Sequence, residues 1–222
     1  KSSGNLSVPL DIFLTEAEKS YYCGLLGVNE SEVRAIIRPL VVPERPVSVR
    51  PYLTRKSKVA TVAWWGREGN PLHGFEQIAE ACSLLLQEHL PVRFAFFGAG
   101  GTDWDVFKEQ LGKFLEEEAD LALGTFGDTK KAQTVLVNKV LDASSFGLPC
   151  LTQHSAGTLE FFRADENIFL SATAPAQISA QIRACLRSPE KMLSVGDAAR
   201  DLARSKFSPE SFYRELGVML QP

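Results

Sequence analysis

From Val59 onward, short apolar runs alternate with segments whose apolar residues recur at helical spacing, and few architectures accommodate that alternation. Val59 to Trp64 is a compact apolar run, Phe75, Ile78, Cys82, Leu85 and Leu86 form one helix face, and Val92 to Phe97 is the next run. Strand, helix, strand is the unit of a parallel sheet, because two parallel strands need a crossover between them. Trp104, Phe107, Leu111, Phe114 and Leu115 make a second stripe, and ADLALGTF supplies a third strand. A helix is predicted from Gln133 to Phe146, stopped by Gly147 with Pro149 beyond. LPCLT, a short helix around Leu159 to Phe162, and NIFLS carry the alternation to a fifth strand. The tail then turns helical throughout: Ala176 to Leu186, Pro189 to Arg204, and Pro209 to Leu220 with Ser208 as N-cap. The fold class is α/β, a Rossmann-like doubly wound parallel sheet with a helical C-terminal tail.

Residues 1–50 stand apart. They hold a strand, DIFLT, a helix from Glu16 to Leu26 closed by Gly27, and a run VRAIIRPLVVP that enters the linker-like stretch PERPVSVRP. The chain divides into residues 1–50 and a main domain over 51–222. Its opening, KSSGN, lacks Met, as expected of a piece cut from a longer chain.

The chain has 222 residues, 45% hydrophobic and 23% charged, so one sizeable globular domain is expected rather than disorder. The 24 basic and 27 acidic residues are spread evenly, which gives nucleic acid no electrostatic footprint. Cys23, Cys82, Cys150 and Cys185 lie in apolar segments without paired spacing and read as reduced core thiols. No apolar run approaches the length that spans a bilayer, and no signal-peptide pattern opens the chain, so a cytoplasmic location is expected. Peripheral attachment of a longer parent to a membrane is compatible with that.

In an open parallel sheet, ligands bind outside the carboxyl ends of the strands. The first such loop is WWGREGNPLHG, where Gly66 and Gly74 allow close backbone approach and Arg67 and His73 can reach a phosphate ahead of the next helix. An ordinary solvated loop is the alternative. The second strand runs into FFGAGGTD, with Gly98, Gly100 and Gly101 at the junction and Asp103 where a dinucleotide fingerprint has its third glycine. Taken alone, that turn serves a tight reversal as readily as a ligand.

The most specific segment is ADLALGTFGDTKKAQTVLVNKVLDASSFGLPCLTQHSAG, which joins a strand end, a polar helix start and a Gly-x-Pro stop. Together with HGFEQIAEACSLLLQEHLPVRFAFFGAGG, it resembles the C-terminal domain of group 1 retaining glycosyltransferases of the GT-B fold, over roughly residues 57 to 220. The resemblance implies that Arg67 and the pair His73-Gly74 stand on the donor's diphosphate, His73 replacing a lysine. The family's two glutamates, for the donor sugar and the ribose, fall on Thr134 and Asp142, and Asn138 matches a polar residue near the diphosphate. A branch with an LGxFG…KA…NKV pattern looks closer still, which implicates Asp128, Thr129 and Lys139. An exposed helix face is the alternative for Lys139 and Asp142. Gln153 to Gly157 would line the donor cleft, and Glu160 matches an acidic helix residue. About 20 residues separate Gly101 from Leu121, where the family has a further strand. The first 50 residues resemble the last strand, helix and crossover of the N-terminal domain.

The resemblance implies a retaining, hexosyltransferase-type enzyme of glycan biosynthesis, without a metal or other cofactor. Its donor is a nucleotide sugar and its acceptor binds in the missing N-terminal half. Arg67, His73, Lys139 and helix N-termini would stabilise the leaving diphosphate, Asp142 would hold the ribose, and this piece alone would bind donor without turnover. The rivals are a sugar-nucleotide 2-epimerase, for which no acid and base pair is evident, and a non-catalytic scaffold. Receiver-like and NAD-binding domains lack their acidic cluster and first-strand glycine turn.

Overall fold

The computed structural model describes residues 11–33, 35–37, 40–43, 45, 59–98 and 104–219. The proposed boundary at 50/51, Gly100 and Gly101 lie outside these. The chain opens with β1 (Asp11–Phe13), α1 (Glu16–Leu26) and β2 (Ala35–Ile37), a βαβ unit whose two strands pair in parallel apart from the main sheet. Thr15 caps α1 by accepting the N–H of Glu18 at 2.9 Å, and Gly27 closes it in the left-handed region at φ 66.

The main domain runs β3 (Ala60–Gly66), α2 (Phe75–Gln87), β4 (Val92–Gly98), α3 (Trp104–Glu117), β5 (Leu121–Leu123), α4 (Asn138–Ser145), β6 (Cys150–Gln153), α5 (Ala156–Phe161), β7 (Phe169–Ser171), α6 (Pro175–Leu186), α7 (Pro189–Lys206) and α8 (Pro209–Met219). The five strands are parallel in the order β4-β3-β5-β6-β7. The chain steps one way from β3 to β4 and then returns past β3 to β5, so the winding reverses between β3 and β5.

Alternate residues of β3 bury on opposite faces, which is why its sequence reads as an unbroken apolar run. Val62 and Trp64 pack with α2, α6 and the start of α7, whereas Ala63 and Trp65 pack with α3, α4 and the end of α7. All four cysteines are buried and free. Burial pushes the thiols of Cys82, Cys150 and Cys185 up to about 12, which keeps them inert. Among the described residues no helix is long and apolar enough to cross a membrane.

Three sequence expectations change. The strand ADLALGTF contracts to Leu121–Leu123. The helix expected from Gln133 begins at Asn138, because residues 132–135 are bound to the start of α5: Ala156 and Gly157 donate to the carbonyls of Gln133 and Thr134, and Ser155 Oγ donates to that of Val135. Gln153 Nε2 donates to the carbonyl of Ala132, so Gln153 and Ser155 brace this segment instead of lining the cleft. Between β4 and β5 the described residues hold α3 and no strand, which leaves β4 at the sheet edge with Phe96 41% exposed.

Gly74 locks the loop after β3 onto the segment after β5. Its φ is +62, and a Cβ there would stand 2.3 Å from the carbonyl carbon and oxygen of Phe126. Gly74→Ala is therefore expected to lower unfolding stability by more than about 2 kcal/mol in urea titration. A change under about 0.5 kcal/mol would show that the lock is not rigid.

Candidate functional site

The cleft lies at the carboxyl ends of β3 and β5, where the winding reverses and α/β sheets collect their ligands. A cavity of about 340 Å³ is lined on one side by Gly66, His73, Asn138, Lys139 and Asp142, and on the other by Leu14 and Glu18 of the N-terminal unit. Two contacts hold that unit in place. The Glu160 carboxylate accepts the backbone N–H groups of Glu16 at 2.9 Å and Ala17 at 2.8 Å, and Lys131 Nζ donates to the Tyr22 hydroxyl at 3.0 Å.

Asn138 and Lys139 open α4, whose N-cap position is Val137 and receives no side-chain cap. Val140 N–H turns back to the Val137 carbonyl at 3.0 Å, and among the described residues the N–H groups of Asn138 and Lys139 have no partner, where the helix dipole favours an anion. Lys139 is 5% exposed. Its Nζ lies 3.5 Å from the Gly124 carbonyl and 4.4 Å from the centre of the Trp64 ring, and no carboxylate pairs with it among the described residues. Burial lowers its pKa from 10.5 to about 7.

His73 is held neutral. Burial, and then the charge of Lys139, lower its pKa to about 4, against the hydrogen bond with the Arg67 carbonyl. Nδ1 lies 3.0 Å from that carbonyl, which can only accept, so Nδ1 carries the proton and Nε2 keeps a lone pair. His73, which stands in the place of a lysine in the resemblance, is thus a neutral acceptor and not a cation. Gly66, at φ +145, makes room for both groups: a Cβ there would lie 2.8 Å from His73 Nδ1 and 3.1 Å from Lys139 Nζ.

Asp142, one turn beyond Lys139, is partly buried rather than on an exposed face. Burial raises its pKa to about 6, while a hydrogen bond from Trp65 and the charges of Arg45 and Lys108 favour the ionised form. Behind it a second cavity, of about 290 Å³, is lined by Arg45, Trp65, Phe107, Lys108, Asp142 and Phe146.

The other candidates stand elsewhere. Arg67 is exposed on the loop and offers its carbonyl to His73. Asp128 lines a separate surface cavity with Glu68 and Glu76. Thr129 Oγ1 accepts the N–H of Ala132 at 3.1 Å, and Thr134 Oγ1 donates to the Lys131 carbonyl at 3.0 Å, so both hydroxyls serve their own turn. Gly98 ends β4. Among the described residues no group of three or more His, Cys, Asp or Glu is placed to hold a metal ion. Glu18 and Lys131 were not legible as cleft residues; only the Thr15-x-x-Glu18 spacing marks Glu18, and it marks a helix cap.

No curated protein matches the chain in sequence. Among solved structures it is similar to Anabaena HepE in complex with UDP and glucose, at 14% identity and TM-score 0.68, covering 95% of this chain and 62% of HepE. It is similar to S. aureus TarM at 16% identity and TM-score 0.69, covering 95% and 43%. The sucrose-phosphate synthase of Thermosynechococcus elongatus gives 13% identity and TM-score 0.64, covering 95% and 57%. The chain thus spans about three fifths of HepE and less of the other two. These likenesses show the fold, that of the C-terminal domain of GT-B glycosyltransferases with the preceding βαβ unit. A family model described as glycosyl transferase-like matches residues 76–216, more than half of the 222-residue chain, and the chain belongs to that family.

Proposed function

We propose that this chain is the donor-binding part of a retaining glycosyltransferase, and that its cleft takes a nucleoside diphosphate sugar whose sugar passes to an acceptor hydroxyl. The observation that carries the reading is Lys139, a buried ammonium at the uncapped start of α4 that has no carboxylate partner among the described residues. Burying such a group costs several kcal/mol unless an anion completes it, and a diphosphate at a helix N-terminus does so. HepE also has a structure with UDP-glucose, which supports a nucleotide-sugar ligand for this fold.

As the bond from the anomeric carbon to the diphosphate breaks, negative charge builds on the leaving oxygen. Lys139 and the α4 amides stabilise it, with Arg67 reaching in from the exposed loop, so the reading calls for no metal. Asp142 accepts hydrogen bonds from the ribose hydroxyls. His73, neutral with a free lone pair, accepts from a hydroxyl and adds no charge. Acceptor binding belongs to a longer parent, so this chain alone is expected to bind donor without transfer. A non-catalytic scaffold is the alternative, favoured by Thr134 at a carboxylate position and by the shortened connection from β4 to β5.

The test is a thermal-shift series with UDP, GDP, ADP and their common sugars. One nucleotide is expected to raise the midpoint, by about 2.7 kcal/mol of stabilisation at a hundredfold excess over Kd, and Lys139→Met or Asp142→Ala to abolish the effect. Stabilisation by none of them would favour the scaffold.

Lys139→Met should also raise the midpoint of the free protein. With a folded pKa of about 7 against 10.5 unfolded, the folded state binds fewer protons between those values, so the cost of the buried charge is complete below pH 7 and gone above 10.5. The gain, on the order of a few kcal/mol near pH 6, should shrink as pH rises toward about 10; a variant no more stable than the parent near pH 6 would contradict this.

Nucleotide affinity should peak between pH 6 and 7. Below about 6 Asp142 gains a proton and loses acceptor strength, and above about 7 Lys139 loses its charge. Calorimetry should show weaker binding at about pH 5 and about pH 8.5 than at about pH 6.5. A flat profile would remove both groups from the ligand.

A further inference from the structure

The resemblance places a donor-sugar carboxylate at Thr134, yet Thr134 has no carboxylate, its hydroxyl is engaged by its own turn, and it lies outside the lining of the main cavity. A carboxylate reaches that cavity from the opposite wall. Glu18, in the first turn of α1, is 9% exposed and lines the cavity beside Leu14 and Lys131. Its Oε2 accepts the N–H of Leu14 at 2.9 Å, and its own N–H donates to Thr15 Oγ1. This reciprocal cap gives Glu18 a structural role, but a glutamine meets it equally well. The cap uses one oxygen, and among the described residues Oε1 has no hydrogen bond.

Position favours a ligand role. Lys139 and Asp142, on the α4 side, are assigned to the diphosphate and ribose, which leaves the α1 side of the cavity for the sugar. The Glu160 carboxylate on the first amides of α1 sets where Glu18 stands against α4. We propose that Glu18 supplies from the N-terminal unit the carboxylate that Thr134 does not, accepting hydrogen bonds from the donor sugar's hydroxyls and favouring a sugar nucleotide over the free nucleotide. This rests on the donor-binding reading. Glu160 is then a positioning residue, acting through α1.

The test compares affinities of the full chain and its Glu18→Gln and Glu18→Ala variants for UDP against UDP-glucose, and for GDP against GDP-mannose. Glu18→Gln keeps the cap of α1, so affinity for the free nucleotide should be unchanged, while the preference for the sugar nucleotide falls roughly tenfold with loss of a charge-assisted hydrogen bond. Glu18→Ala should lose the preference as well. A wild-type preference retained in Glu18→Gln reduces Glu18 to a cap and overturns the proposal. An unmodified chain that binds nucleotide and sugar nucleotide equally overturns it too and leaves the donor reading standing. Binding of none of the four by the unmodified chain sinks the donor reading and this proposal together.

Discussion

Two loops meet backbone to backbone at the switch point, and the geometry of the cleft depends on that contact. Phe126 N–H donates to the His73 carbonyl at 3.0 Å, and Cβ atoms on Gly74 and Gly127 would lie 2.3 Å from the Phe126 carbonyl and 2.2 Å from the Pro71 carbonyl. Side chains would hold the loops apart. Because β3 and β5 are neighbours in the sheet, their loops leave it side by side, and the glycines let them close. The loop after β3 then folds back until His73 reaches the Arg67 carbonyl, with Lys139 beside it over the Gly66 backbone.

Lys139 is costly where it stands. The Trp64 ring and the Gly124 carbonyl offset part of the lost hydration, but a cation–π contact contributes only about 1–2 kcal/mol, against a burial cost of several. The depressed pKa shows that burial wins. An apolar side chain would suit the surrounding core better, and on the proposed reading the missing partner of the lysine is the anionic donor. The same tension explains why α4 begins without a side-chain cap: a cap would satisfy the helix internally and cover the amides beside the lysine.

Regular elements were legible because their signals are local. Gly27 ends α1, Ser208 accepts the N–H of Ser211 ahead of α8, and the apolar alternation of residues 59–171 yields five parallel strands. The start of α4 was not, because residues 133–137 look helical in sequence and are held out of the helix by Ser155 and Gly157. The motif reading brought His73, Asn138, Lys139 and Asp142 to one cavity. It also named Asp128, Thr129 and Thr134, residues of a plausible type whose orientation is set by turns the motif does not encode. Glu18 is more than a hundred residues from Lys139 along the chain, and only the docking of α1 on α5 brings them to the same space.

The connection from β4 to β5, which among the described residues holds a helix and no strand, shapes the other side of Asp142. With α3 running straight into β5, this helix and α4 enclose the second cavity, where Arg45 and Lys108 flank the carboxylate that faces Lys139's cavity as well. Burial still dominates, so Asp142 and Lys139 titrate at about 6 and about 7, one raised and the other lowered by the same loss of water. A bound diphosphate would raise the lysine's pKa, and ribose hydroxyls donating to Asp142 would lower the carboxylate's. The two shifts move in opposite directions away from neutral pH. On the proposed reading, donor binding would therefore drive both groups toward full charge, and part of the binding energy would go into ionising a site that the fold alone holds close to neutral.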